Sequence, residues 1–326
     1  MGSMIEDVVR AQLLDRRQRL GEVLGRTHDP GHIENLLKEV DAALARLSGG
    51  TFGMCQTCRE PIERERLLAD PLACFCLDHL SPSQQRALEQ DMELAALIQN
   101  SLLPGRNLLL GDFQVSYYYE AAGPVSGDYC DLVSMPDGSF YFMLGDIAGK
   151  GIAASMLMSN LHAVLRALVS VHQPLDQLLG RASRLFCEST LPMHFATLVC
   201  GKVTPPDEVE LCNAGHVPPI LLRAKEVTAI QPTALPIGMF CNQEFPTQRL
   251  FLEKNDSLVL ATDGLSEARS KSGAEYGIER LARQAAGNHR LPPQALVDAL
   301  VEDLRAFRGG APTDDDVSIM AMRRVS

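Results

Sequence analysis

A chain of 326 residues, 46% of them hydrophobic and 22% charged, is long enough for two or three domains with a sizeable core. Its net charge of −11 argues against a phosphate-tracking basic surface, so nucleic acid is not an expected partner. No apolar run approaches the roughly eighteen residues of a membrane span and no signal-peptide pattern opens the chain, so the nine cysteines point to a reducing cytoplasm, with metal-bound or buried thiols rather than a disulfide framework.

Residues 5–26 repeat apolar side chains at three- and four-residue spacing, which predicts an amphipathic helix. Thr27-His28-Asp29-Pro30-Gly31-His32 breaks it, a second helix is predicted from Ile33 to Leu47, and Ser48-Gly49-Gly50 stops that one. The short connection makes residues 1–50 an antiparallel helical hairpin. A compact cysteine-bearing segment, 51–80, follows. A further helix is expected from Pro82 to Leu103, with Leu88, Met92, Ala95 and Leu102 along one side. That spacing fits a short coiled coil and an ordinary amphipathic helix equally well. Pro104-Gly105 closes this linker, residues 81–104.

From residue 105 to 326 the texture is β-rich. Strands are predicted at Phe113–Glu120, Ser139–Leu144, Ala196–Val203, Glu208–Cys212, Ile220–Arg223 and Ser257–Ala261. Asp137-Gly138 reads as a hairpin turn. Helices are expected near 151–170, 174–188, 277–286 and 293–307. Strands in groups with helices between the groups favour an α+β layered domain over a doubly wound parallel sheet.

In the 51–80 segment, Cys55-Gln-Thr-Cys58 and Cys76-Leu-Asp-His79 have the spacing of two zinc knuckles. Three thiolates and one imidazole close a tetrahedron, so one structural Zn²⁺ is expected there, supplying much of the segment's folding energy. Cys74 is an alternative to Cys76 by spacing alone. With the preceding hairpin, the run TFGMCQTCREPIERERLLADPLACFCLDH resembles the DksA/TraR zinc-finger family over about residues 5–80. The longer members of that family insert their hairpin into RNA polymerase. His79 stands where that family usually has a fourth cysteine, which zinc accepts, and the tip lacks the family's paired aspartates, so the zinc site carries over better than polymerase binding does.

Four aspartates recur beside glycine or a second aspartate at expected strand ends: Asp128 in SGDYCD, Asp146 in GDIAGKG, Asp263 in ATDGLSEA and Asp315 in TDDDVSIM. Carboxylates brought together are tolerable only around a cation, and hard oxygen ligands favour Mg²⁺ or Mn²⁺. GDIAGKG is not a nucleotide-binding P-loop: three residues rather than four separate Gly145 from Gly149, and Gly151 follows Lys150 where Ser or Thr is needed. Together with NAGHVPP at 213–219, these motifs resemble the SpoIIE/RsbU branch of the PPM (type 2C-like) metal-dependent serine/threonine phosphatases, over about residues 86–324.

The resemblance implies a PPM-type αββα sandwich, preceded here by the helical hairpin, the small zinc finger and a linker helix. It implies two Mn²⁺ or Mg²⁺ ions bridged by Asp146 with the Ile147 carbonyl, Asp128 serving one ion, and Asp263 and Asp315 the other. Asp314 and Asp316 leave the register of the last ligand open. Asp131, Gly127, Gly264 and His216 are expected to serve structure or to support the ligands, and no general acid is identified.

The implied reaction is hydrolysis of a phosphoserine or phosphothreonine in a protein by a metal-activated water, the substrate class being an anti-sigma-factor antagonist. Regulation is expected from the N-terminal zinc module and the linker helix, with a homodimer through that helix. The alternative reading is a transcription-associated scaffold with a zinc finger and a non-catalytic phosphatase-like domain.

Overall fold

The computed structural model describes residues 2–24, 30–80, 82–171, 173–191, 193–205, 208–224 and 226–326. Of the expected hairpin tip, Thr27, His28 and Asp29 lie outside the described residues. The chain divides into two compact units, Met1–Asp91 and Met92–Ser326.

The first unit begins with helices α1 (Gly2–Leu24) and α2 (Pro30–Ser48). They bury Val9 and Leu13 against Val40, Ala43 and Leu47, the one-sided apolar stripe that the spacing predicted. Arg17 Nε donates to Asp41 Oδ1 at 2.6 Å on their solvent side. After a turn at Gly49-Gly50, residues 51–80 fold with only α3 (Arg64–Ala69) and a 3₁₀ turn (Leu77–His79) as regular structure. Their core is small: Cys55, Ile62, Leu67, Ala73 and Cys76, with Phe52 and Phe75 against it. Helix α4 (Pro82–Leu102) carries the chain into the second unit, and the division falls inside it.

The second unit contains two antiparallel sheets. One has six strands in the order β1 (Leu108–Leu110), β2 (Phe113–Glu120), β11 (Val317–Arg324), β10 (Ser257–Ala261), β7 (Ile220–Arg223) and β8 (Glu226–Ala229). The other runs β3 (Asp128–Ser134), β4 (Phe140–Ile147), β5 (Ala196–Thr204), β6 (Glu208–Ala214) and β9 (Gln248–Phe251). Period-2 alternation sorts β4 cleanly. Phe140, Phe142 and Leu144 enter the core between the sheets, with Val115, Leu260 and Met320. Tyr141, Met143 and Ile147 face outward, under α5 (Gly151–Val169) and α6 (Leu175–Ser189). On the far side, α8 (Ile278–Gly287) and α9 (Pro293–Arg308) cover the six-stranded sheet through Leu281, Leu296, Leu300 and Leu304. The layers are therefore helix, sheet, sheet, helix, as the αββα expectation requires.

Two expectations from composition need correcting. Cys187 and Cys241, 54 residues apart, form a disulfide that joins α6 to the segment after Ile237, so not every cysteine is a thiol or a candidate ligand. Helix α5 is also long and apolar enough, by length and composition, to span a membrane. Its small residues and single arginine dilute the apolar run in a linear reading. In the fold, Ala154, Met158, Leu161, Leu165 and Val169 pack onto the five-stranded sheet.

Candidate active site

The pairing of β3 with β4 sets Asp128 opposite Asp146. β4 ends one residue later, and Gly149 and Gly151, at φ of 121° and 70°, turn the chain into α5. In the other sheet β10 stops at Ala261, so Thr262 and Asp263 emerge where Asp314-Asp315-Asp316 lead into β11. Antiparallel pairing thus gathers four distant motifs at one end of the sandwich.

Asp128 is fully buried. Its Oδ2 accepts hydrogen bonds from Thr262 Oγ1 at 2.9 Å and Ser318 Oγ at 2.6 Å, which tie the two sheets together. Burial and the neighbouring Asp146 charge push its pKa well above the usual carboxylate range. Asp146 is pushed up to about 8, by burial first and then by Asp263, Asp315 and Asp316. Asp263, at the start of the short helix α7 (Asp263–Ser266), is raised by burial, by Glu267 and by Asp315. Asp146 is therefore the hub, feeling Asp128 on one side and the Asp263–Asp315 pair on the other. Among the described residues, a set of three or more ligand atoms within 4.8 Å of one another occurs only at the cysteines. The aspartates are spread more widely than a single closed site.

The three consecutive aspartates differ in what they contact. Asp316 is committed to the backbone: Oδ1 accepts from Ala122 N at 2.8 Å and Oδ2 from Gly127 N at 2.7 Å. Asp315 pairs with Lys150 at 2.8 Å and acts electrostatically on Asp146 and Asp263. Asp314 contributes its carbonyl, which accepts from Lys150 Nζ at 2.8 Å. Gly264 lets this segment pass close, since a Cβ there would stand 1.9 Å from the Asp316 carbonyl oxygen. A Cβ on Gly127 would lie 3.4 Å from both Asp146 Oδ1 and the Ile147 carbonyl oxygen. The same position would meet the Ala154 Cβ at 3.3 Å, so Gly127 packs directly beside two oxygens of the kind a hard cation takes.

Asp131 lies elsewhere on β3. Its carboxylate takes both Arg166 Nε and Nη2 at 2.6 Å, together with the Tyr129 hydroxyl and Leu132 N, and is saturated by α5 and its own strand. His216 is buried and held at its backbone by Asn213. Its Nδ1 is 2.8 Å from Thr197 Oγ1, and that hydroxyl is 3.4 Å from the Asp146 carbonyl. Burial lowers its pKa to about 4, so the ring is neutral at pH 7.

Reading the sequence for carboxylates passed over Thr262 and Ser318, although each sits within a quoted motif, and Thr197. It also missed Gln99. That α4 side chain is buried, donates to Ser126 O at 2.7 Å and accepts from Ser126 N at 2.9 Å. Ser126 Oγ in turn accepts from Asp128 N at 3.0 Å.

In the first unit, Cys55, Cys58, Cys76 and His79 bring one donor atom each to within 4.8 Å of the others. The Cys58 and Cys76 sulfurs are 3.8 Å apart, the edge of a tetrahedron with metal–sulfur bonds of about 2.3 Å. Cys74 stays outside this set and offers its carbonyl to Gln56 N at 2.9 Å.

Two facing antiparallel sheets between helix layers, with strand-end carboxylates grouped at one end, define a phosphatase domain of the PPM (type 2C-like) class. The chain belongs to the SpoIIE family (Stage II sporulation protein E), whose model matches residues 136–325. It is 25% identical over 263 residues to Protein IcfG of Synechocystis, covering 72% of this chain and 41% of that protein. It is 26% identical over 189 residues to the phosphoserine phosphatase RsbP of Bacillus subtilis, covering 55% of this chain and 46% of RsbP. The chain thus spans less than half the length of these two relatives. The SiaA-PP2C domain of Pseudomonas aeruginosa superposes with a TM-score of 0.66 at 21% identity, covering 74% of this chain and 98% of that domain. That likeness is one of fold.

Proposed function

We propose that this chain is a Mn²⁺- or Mg²⁺-dependent phosphatase of phosphoserine or phosphothreonine in a regulatory protein, with an anti-sigma-factor antagonist as the substrate class. The observation that carries the reading is the arrangement around Asp146. A buried carboxylate raised to about 8 by burial and by other carboxylates is costly without cations, and its position between Asp128 and the Asp263–Asp315 pair suits a ligand shared by two ions. When bound, such ions lower the pKa of a water and offset charge on phosphoryl oxygens. Asp128, Asp146, Asp263 and Asp315 would hold them, with the Ile147 carbonyl as a further ligand. Thr262 and Ser318 orient Asp128, Asp316 holds the Gly127 loop, and His216 steadies β5 beside Asp146 through Thr197. Kinship with a phosphoserine phosphatase supports the substrate class.

The four-donor cluster of the first unit is read as a structural zinc site, since three sulfurs and one imidazole leave no position open for a substrate. Regulation is read through α4, where Gln99 grips Ser126 two residues before Asp128. Dimerisation through this helix belongs to the same reading: Leu94, Leu97 and Ile98 stand exposed along it. Hydrolysis of a phosphoserine protein, measured with and without Mn²⁺ beside Asp146→Ala, tests the activity. Metal-independent turnover, or an active variant, would sink it.

A further inference from the structure

We propose that Lys150 is a built-in competitor for the divalent ion on the Asp263–Asp315 side, a positioning residue that keeps Asp315 poised and sets how much metal the site requires. The inference rests on the two-ion reading above. Failure of the P-loop pattern leaves Lys150 without a nucleotide to bind, and the structure gives its ammonium other partners. Nζ lies 2.8 Å from Asp315 Oδ2 and donates to the Asp314 carbonyl at 2.8 Å, so one side chain grips one segment at two points. Asp316 N donates to Asp315 Oδ1 at 3.0 Å, and both oxygens of that carboxylate are thereby oriented.

The contact also joins the two sheets. Lys150 is the N-cap position of α5, three residues after the end of β4, while Asp314 and Asp315 lead into β11. Gly149 and Gly151 flank it with positive φ, and a Cβ on either would meet nothing within 4 Å, so they supply turn conformation rather than room. That turn delivers the lysine to the aspartates.

The sign of the effect follows from charge. An ammonium and a divalent cation sharing one carboxylate repel, by roughly a factor of ten in binding even at a water-like dielectric over a few ångströms. The pair is accessible, with the lysine side chain 66% and the aspartate 41% exposed. An exposed ion pair contributes little to stability, so the ammonium can give up its contact with Asp315, yet its place at the start of α5 keeps its charge near the ion. Lys150 therefore orients Asp315 until an ion replaces it, and it raises the metal concentration at which replacement occurs.

Calorimetric titration of the full chain with Mn²⁺ tests this on the wild type, Lys150→Met and Lys150→Arg. The wild type should bind two ions. In Lys150→Met one of the two should tighten about tenfold while the other changes less than about twofold, and Lys150→Arg, which keeps the charge, should stay near wild type. Should Lys150→Met not fold, Lys150→Gln serves with the same expectation. Unchanged or weakened ion binding in a folded neutral variant overturns the proposal. A wild type that binds no Mn²⁺, or an Asp146→Ala chain that binds it as the wild type does, would instead remove the two-ion reading beneath it.

Discussion

At the residue scale, the carboxylate end of the sandwich is a balance of buried charge whose pH behaviour can be derived. His216 has a folded pKa near 4, below its ordinary value near 6.5, so between those limits the unfolded chain binds the extra proton. Its contribution to stability is complete above about pH 6.5 and is lost as pH falls toward 4, by up to about 3 kcal/mol for the full interval. His216→Asn should lose this dependence: urea melts at pH 7 and pH 5 should differ less in the variant than in the wild type.

Asp146 runs the other way. Its folded pKa of about 8 lies above the unfolded value, so the metal-free protein loses stability as pH rises from about 4 to 8. A divalent ion must displace that proton, so Mn²⁺ affinity should climb by up to roughly tenfold per pH unit below about 8. Titrations at pH 6, 7 and 8 check this, and a flat affinity would contradict a shared, protonatable ligand. The motifs made Asp128, Asp146, Asp263 and Asp315 legible because each aspartate sits at a strand end beside glycine or another aspartate. Thr262, Ser318 and Thr197 were not legible as partners of the site. A hydroxyl gains its role only when antiparallel pairing carries it across to a distant carboxylate.

At the element scale, helices and strands with an apolar run were readable and the edge strands of both sheets were not. β2, β7 and β10 match their expected spans, and α5, α6, α8 and α9 begin and end within a residue or so of expectation. β8 and β9 escaped because both carry exposed residues throughout or on alternate positions, and neither presents a continuous apolar run. β3 was hidden because Asp128 and Asp131 interrupt its apolar signal while being buried.

Two tests belong at this scale. Gln99→Ala removes the bidentate grip of α4 on Ser126 and leaves buried backbone groups unpaired, a loss of about 1–3 kcal/mol. A lower melting temperature should accompany weaker Mn²⁺ binding, because the same loop leads into Asp128. The Cys187–Cys241 disulfide closes a 54-residue separation, worth about 4 kcal/mol on chain-entropy grounds. Dithiothreitol should lower the melting temperature of the wild type and leave Cys187→Ser/Cys241→Ser unaffected.

At the scale of the whole molecule, the two units draw stability from different sources. The second has three apolar clusters, between and outside its sheets, whereas residues 51–80 have a five-residue core, two of whose members, Cys55 and Cys76, are themselves metal-type donors. Cys58→Ala should therefore weaken zinc binding and unfold residues 51–80, seen by metal analysis and proteolysis, while the second unit keeps its melting transition. Cysteine spacing made this donor set readable, because knuckle ligands are local in sequence. The disulfide was not readable, because its partners meet only through the packing of α6.

The central claim is that Asp146 organises metal-dependent phosphate-ester hydrolysis. The most direct measurement is the turnover of a phosphoserine protein by the full chain across a Mn²⁺ titration, run beside Asp146→Ala. Activity should rise saturably with Mn²⁺, vanish with chelator, and fall at least about a hundredfold in the variant. Turnover that ignores Mn²⁺, or an Asp146→Ala protein as active as the wild type, would contradict it.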